Sequence, residues 1–453
     1  MAQISEITIN NLGLDTRIDS EYYQPIYLQA EEAVGNENVQ RVSDVGKFII
    51  GPFGSTVKIE DYVEKSNSRY IRGKDVKNFF VDDLDNAYIP DDKYSNLKKY
   101  HVSVDDLLIT VVGTLGNVSV VTEDVGNAIF SCKSTILRPS KILPGYLCIY
   151  LNTKQGKGLL MRNERGAVQT GFNLKDLENI PLPRFDNEIE ERINEQYFNA
   201  NKLRQKSKFL YKQAEEILLT ELGLLDFVPE WVAGYETDRD NILDAARMDA
   251  EYFQPRYTKI IKSITTKKYT KVSEVAHFVG HSSQPGYEDG GNIAVLAQKH
   301  MKGSLQVDYE SFDNFTTAEH IKKSDKQYIL DNNDILVSSA GAPGLTNVWQ
   351  GEQKTIPGSF VTVVRAKDID PLYLALCLNS LTGRMQFEQN FTGSVQQYVY
   401  PSKIAEIVIP RLGEKIEQVI SQKIQNSFDL SHESRKLLED AKREVEEMIE
   451  NRK

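Results

Sequence analysis

Lys58, Arg69, Arg72, Lys74 and Lys77 cluster around Tyr62 and Tyr70 in the first part of the chain. A lysine or arginine can neutralise a phosphate or grip the edge of a guanine, and an Asn or Gln amide suits adenine. Two glycine-rich stretches carry further polar groups of this kind. They are the turn Gly113-Thr114-Leu115-Gly116-Asn117 and the segment Gly166-Ala167-Val168-Gln169-Thr170-Gly171-Phe172-Asn173. Small residues there permit close backbone approach to a ligand. Later in the chain, Gly341-Ala342-Pro343-Gly344 and Gly393-Ser394-Val395-Gln396-Gln397-Tyr398-Val399-Tyr400 repeat the arrangement, and Gln298-Lys299-His300 adds a polar cluster. The candidate nucleic-acid contacts are therefore Lys58, Arg69, Arg72, Lys74, Lys77, Thr114, Asn117, Gln169 and Asn173. The second set is Gln298, Lys299, His300, Gln396, Gln397, Tyr398 and Tyr400.

Groups for bond-making chemistry do not assemble in the same way. Gly156-Lys157-Gly158 lacks the upstream glycine and the hydroxyl residue of a phosphate-cradling loop. There is no G-x-G-x-x-G run after a strand, and no Asp/Asn-Pro-Pro-aromatic motif of an amino-methyltransferase. The six histidines have no metal-binding spacing; His277 and His281 flank Gly280 in a turn-like stretch. Pro90-Asp91-Asp92-Lys93 has the residue types of a nuclease carboxylate–lysine set, but it lies in a polar loop without a counterpart later in the chain. No catalytic residue and no metal site is expected.

The elements that must hold the polar loops are given twice. Arg17-Ile18-Asp19-Ser20-Glu21-Tyr22-Tyr23-Gln24-Pro25 returns as Arg247-Met248-Asp249-Ala250-Glu251-Tyr252-Phe253-Gln254-Pro255, a shift of 230 residues. Gly-x-Val-Gln and Pro183-Arg184 return at a shift of 227. A repeat this long means two whole domains of one kind. Each copy begins with strand-like runs, in the first Lys47 to Ile50, Arg69 to Ile71, Leu107 to Val112, Val118 to Val121 and Thr135 to Leu137. A short helix follows, Gly145 to Thr153 or Leu372 to Ser380. The copies diverge most between Lys47 and Lys99 against His277 and Lys326, so a shared scaffold carries altered loops.

Each copy ends in a long helix. Ile189, Ile193, Gln196, Ala200, Leu203, Ser207, Leu210, Ala214 and Ile217 alternate at spacings of 4 and 3, the seam of a coiled coil. The same shift gives Ile416, Ile420, Lys423, Ser427, Leu430, Ser434, Leu437, Ala441 and Glu444, and the small Ala and Ser residues at matched places predict that the two helices pack closely. Leu222-Gly223 reads as the first helix's stop. At about 1.5 Å per residue each helix is roughly 55 Å long, on the order of one to two DNA turns of roughly 34 Å. The expected organisation is a domain over 1–185, a spacer helix over 186–223, a linker over 224–246, a second domain over 247–412 and a second spacer helix over 413–453.

Of 453 residues, 40% are hydrophobic and 26% charged, an ordinary globular balance. No apolar run reaches the roughly 20 residues that span a bilayer, and Met1 to Glu6 lack a secretory signal's basic start and apolar core. The expectation is a cytoplasmic protein with no membrane association. Cys132, Cys148 and Cys377 are too few and scattered for a disulfide frame, which suits a reducing compartment. A net charge of −11 weakens long-range attraction to phosphate, so DNA contact would rely on local basic patches or on a more basic partner.

The pattern resembles the specificity subunit of type I restriction–modification systems. The likeness rests on the doubled Arg-x-Asp-x-Glu-Tyr-aromatic-x-Pro motif and on Asp106-Leu107-Leu108-Ile109-Thr110 with its Gly113/Gly116 turn. It continues through the Gly-x-Val-Gln segment and the Ile180-Pro181-Leu182-Pro183 exit (Ile407-Val408-Ile409-Pro410 in the second copy) into a long helix. The resemblance implies an α+β fold of two target-recognition domains held apart by an antiparallel helix pair. Each domain would read one half of a bipartite site on double-stranded DNA. Two modification (methyltransferase) subunits would dock on the helices, and motor/nuclease restriction subunits would join them. S-adenosylmethionine, ATP and Mg would sit on those partners, and none on this chain. A specificity chain of a fused restriction–methylation enzyme or other phage-defence complex shares this architecture. An acidic scaffold or DNA mimic that binds the partners without DNA is a further alternative, against which the divergence of the loops speaks.

Overall fold

The computed structural model describes residues 17–166, 170–393 and 395–452, together with Ser5. The chain divides into two units, Met1–Leu203 with His432–Lys453, and Arg204–Ser431. Each unit is a mixed α/β domain with one half of each long helix packed into its core.

In the first unit, a five-stranded sheet runs in the order Gly46–Ile50, Ser134–Pro139, Leu107–Thr110, Val118–Val120, Phe79–Phe80. A three-stranded sheet runs Ala87–Tyr88, Arg69–Ile71, Ala128–Phe130, its last pair parallel. Leu107 to Thr110 are buried on both faces, which explains the continuous apolar run where a half-exposed strand would alternate. The second unit repeats this plan. Its four-stranded sheet is Ala276–Gly280, Val361–Ala366, Ile335–Ser338, Thr346–Val348, and its three-stranded sheet is Phe315–Thr316, Ile293–Leu296, Thr355–Pro357. The parallel edge pairing Phe79–Ser119 of the first sheet survives in the second as a single parallel bridge, Leu305–Asn347.

Helices Pro144–Asn152 and Pro371–Asn379 open on proline at the first turn and are apolar almost all round, so they lie inside their units. Tyr146 donates its hydroxyl proton to the carbonyl of Pro183 at 2.5 Å, and Tyr373 does the same to Pro410 at 2.8 Å. These bonds pin the exit strands Pro181–Pro183 and Val408–Arg411, which pair antiparallel with Val39–Arg41 and Lys268–Lys271. Each domain is thus closed where its chain enters and leaves.

The long helices span Asn187–Glu221 and Glu414–Glu450. The first ends as expected: Gly223 has φ +66°, and Leu224 N–H returns to the Leu219 carbonyl at 2.8 Å. In each unit the helix halves run antiparallel. Ser434 Oγ donates to the Ala200 carbonyl at 2.7 Å in the first unit, and Ser207 Oγ to the Ser427 carbonyl at 2.7 Å in the second. Ser427 Oγ returns a bond to the Ser207 carbonyl at 2.8 Å. Side chains this small let the axes approach until hydroxyls reach the facing backbone.

The seam itself is one residue out of phase at alternate positions. Ile193, Ala200, Ser207 and Ala214 are buried, as are Ile420, Ser427, Ser434 and Ala441. Ile189, Leu203, Leu210, Ile217, Ile416, Leu430 and Leu437, however, are only half-buried. Tyr197 and Leu218 in the first helix, and Ile424, Leu438 and Val445 in the second, are buried in their stead. The reason is that each helix packs on its own domain as well as on the other helix. Tyr197 reaches past the seam to donate to the Phe79 carbonyl at 2.7 Å, and Tyr211 accepts from the Asn379 amide at 2.8 Å. The buried stripe is therefore rotated toward the domain core.

The linker also holds more structure than expected. Arg239–Ala245 is helical, and Gln254 of the repeated motif clamps Val232 through both amide atoms, at 3.0 and 3.1 Å.

Candidate nucleic-acid interface

The polar loops singled out in the sequence come together at corresponding places in the two units. In the first, strand Arg69–Ile71 leads into a tight turn over Gly73–Asp75, and in the second Ile293–Leu296 leads into Gln298–His300. The Arg72/Lys74 cluster and the Gln298-Lys299-His300 cluster are therefore the same structural position carrying different chemistry. Even their ion pairs match. Lys74 Nζ lies 2.7 Å from Asp85, and Lys299 pairs with Asp313. Each lysine draws its aspartate below the usual carboxylate range, chiefly through that hydrogen bond.

The glycine turns meet the chain just after the Gly-x-Val-Gln segments, at Gly171 and Tyr398. Val112 bridges Gly171 in the first unit, and Ala340 bridges Tyr398 in the second. The loop before the last sheet strand completes each surface. Val111 N–H donates to the Lys133 carbonyl at 2.8 Å, and Ser339 N–H to the Phe360 carbonyl at 2.8 Å. A Cβ on Gly73 would lie 2.8 Å from Lys133 Cβ, so this turn passes directly over that loop. Lys157, half-buried on helix Lys154–Met161, donates to the Gly116 carbonyl at 2.6 Å and fixes the Gly113–Gly116 turn from behind. Burial pulls its ammonium down to about 8.

Several candidate contacts serve the scaffold. Arg69 is 5% exposed, and its guanidinium donates to the Asp82 carbonyl beneath the surface; burial depresses its pKa. Its strand points it inward, away from the exposed face of the turn that follows. His300 is fully buried and accepts from Ala297 N–H at 2.9 Å, with its basicity lowered by burial. Asn117 spends its amide on the Val76 carbonyl at 3.0 Å, tying the glycine turn to the Gly73–Asp75 turn. Arg72 is half-buried and holds Asp75 through two bonds of 3.0 Å. Lys58, Lys74, Lys77, Thr114 and Asn173 are exposed in the first unit, and Lys299, Gln396, Gln397 and Tyr400 in the second. Gln298 and Tyr398 are half-buried at the edge of that surface. Gln169 lies outside the described residues.

In the second unit, Gln298, Lys299 and Gln396 line a cavity of 270 Å³ together with Gln284, Gly341 and Phe360. Phe360 is 52% exposed and stands 6.4 Å from the Tyr398 ring, which is 4.7 Å from that of Tyr400. Gln284, Phe360, Lys133 and Lys157 were not anticipated. For Phe360 and Lys133 a signal existed: Ser131-Cys132-Lys133 and Gly358-Ser359-Phe360 are aligned by the 227 shift and differ completely.

The repeated opening motif proves to be support for this surface. Arg17 grips Asp19 at 2.8 Å, lies 4.4 Å over the Tyr22 ring and donates to the Glu164 carbonyl at 3.1 Å, next to the loop at Gly166. Arg247 makes the matching contacts with Asp249, Tyr252 and the Phe391 carbonyl. Ion pairs on a buried aspartate recur too: Arg138 holds Asp106 at 2.7 and 2.8 Å, and Arg365 holds Asp334 at 2.9 Å through two bonds.

Among known proteins, the specificity subunit of the type I restriction enzyme EcoBI from Escherichia coli is 30% identical to this chain over 111 residues. This chain resembles a type I specificity subunit. The match takes in 23% of either protein, so the chain is aligned with less than a quarter of that relative's length. The crystal structure of a type I restriction–modification S subunit from M. genitalium is 11% identical, covering 92% of this chain and 96% of its own, with a TM-score of 0.43. That of the HsdS subunit from Thermoanaerobacter tengcongensis is 14% identical over 91% and 95%, at a TM-score of 0.27. These superpositions are loose, and the two-copy α+β architecture stands on the strand order and helix packing described above. No protein-family profile matches the chain. Among the described residues, no helix is long and apolar enough to cross a membrane.

Proposed function

We propose that this chain is the sequence-specificity subunit of a type I restriction–modification complex, with no catalysis of its own. Residues 1–185 and 247–412 act as target-recognition domains, each reading one half of a bipartite site on duplex DNA. The helices over 186–223 and 413–453 set the spacing and dock two methyltransferase subunits, and motor/nuclease subunits complete the assembly in the cytoplasm. S-adenosylmethionine, ATP and Mg belong to those partners. One observation carries the reading. Two domains share their arginine–aspartate pairs and tyrosine pins residue for residue, yet present Arg72-Gly73-Lys74 in one and Ala297-Gln298-Lys299 in the other at the same surface position. A common scaffold with altered polar loops is what two different half-sites require.

The net charge of −11 suits a subunit that holds DNA inside a larger assembly. Mapping methylated bases in source cells with the gene intact and deleted tests the reading. Loss of adenine methylation at one split motif is the expected result. Retention of every methylated motif would move the chain to a defence complex that does not methylate, or to a scaffold that binds partners without DNA.

A further inference from the structure

We propose that Gln298, flanked by Gln284 and Gln396, reads an adenine in the half-site taken by the second domain. The inference rests on the DNA-reading function above and adds the base and the side chains that select it.

The three amides line one 270 Å³ cavity at the candidate surface. Its floor is cleared by glycine at two points. A Cβ on Gly341 would lie 3.1 Å from the Gln298 side-chain oxygen, and one on Gly358 the same distance from that of Gln284. Gly341 also has φ +81°, so a larger residue is disfavoured there twice over. Gln284 is anchored, donating to the Tyr287 hydroxyl at 3.0 Å and accepting from Ser359 N–H at 3.3 Å. The amides of Gln298 and Gln396 have no hydrogen-bond partner among the described residues, although each carries two donor hydrogens and an acceptor oxygen.

An amide offers a donor and an acceptor side by side, which fits the N7 acceptor and N6 donor of adenine in the major groove. Guanine shows two acceptors there and would leave the amide oxygen facing another oxygen. At the matching place in the first domain stands Gly73, covered by the aliphatic stem of Lys133, so the preference belongs to the second half-site alone.

Selection from random-sequence DNA duplexes by the full-length chain assembled with the modification subunits of its source cells tests this, using the unaltered protein, Gln298→Ala, Gln298→Arg and Gln396→Ala. The expected result is a two-part motif for the unaltered chain. Gln298→Ala should lower the preference for one adenine in one half roughly tenfold, and Gln298→Arg should shift that position toward guanine. The untouched half of the motif reports that each variant is folded. A two-part motif whose adenines survive both Gln298 variants would overturn the inference and leave the function standing. Failure of the unaltered chain to enrich any motif would overturn both.

Discussion

Gly156 and Gly383 sit at matched positions in the helices Lys154–Met161 and Leu381–Gln389, and alanine should destabilise the protein at either one. On an exposed helix the same change would stabilise by up to about 1 kcal/mol, because alanine has the higher helix propensity. Here a Cβ on Gly156 would stand 2.1 Å from the Tyr150 carbonyl oxygen, and one on Gly383 2.1 Å from that of Leu378. Both fall 0.9 Å short of the 3.0 Å below which real Cβ contacts essentially do not occur. The obstacle is backbone of the fully buried helices Pro144–Asn152 and Pro371–Asn379, so no side chain can swing aside. Overpacking of this kind costs about 1–3 kcal/mol and occasionally more, which outweighs the propensity gain. For units of this size, a loss of about 2 kcal/mol lowers the melting midpoint by roughly 4–8 °C. Gly156→Ala should also disturb the Gly113–Gly116 turn of the candidate surface, since the adjacent Lys157 holds the Gly116 carbonyl. Thermal unfolding followed by circular dichroism reads the stability. A midpoint that rises or stays unchanged in Gly156→Ala would refute the close crossing of the two short helices.

Four further outcomes are expected. Ser207→Leu, which forces a branched side chain between helices close enough for serine to bond the facing carbonyl, should cost about 1–3 kcal/mol, while Ser207→Ala should cost about 1 kcal/mol; urea unfolding distinguishes them. Lys157 has its pKa lowered from its ordinary value to about 8, so the unfolded chain binds the extra proton between about pH 8 and 10.5. Stability should therefore rise with pH across that window, and Lys157→Met should abolish the rise in pH-dependent melting curves. Lys58→Ala with Lys77→Ala should weaken DNA binding evenly across sequences and flatten the logarithmic salt dependence by up to about 2, roughly 0.9 for each phosphate no longer neutralised. Arg69→Ala should instead lower stability by leaving the Asp82 carbonyl without its donor. An unchanged salt slope in the lysine variant would remove both lysines from the interface.

Much of this molecule is decided by local pattern. The doubled Arg-x-Asp-x-Glu-Tyr motif, the glycine turns and the 227-residue shift fix two like domains. A 4–3 alternation with Ala and Ser at matched places also fixes a close helix pair, because a helical face is set by spacing along a single element. The phase of the buried stripe is different. It depends on where Tyr197 and Tyr211 find partners in strands and helices remote in sequence, and those partners turn Leu203, Leu210, Leu430 and Leu437 partly outward. Which polar residues face a ligand likewise follows from tertiary placement. Arg69 and Lys74 lie five residues apart with the same charge, yet one is buried on a strand and the other exposed on the turn that follows. Gln284, Gln298 and Gln396 become neighbours only when two sheets bring three separate loops to one cavity, and no spacing in one dimension encodes that meeting.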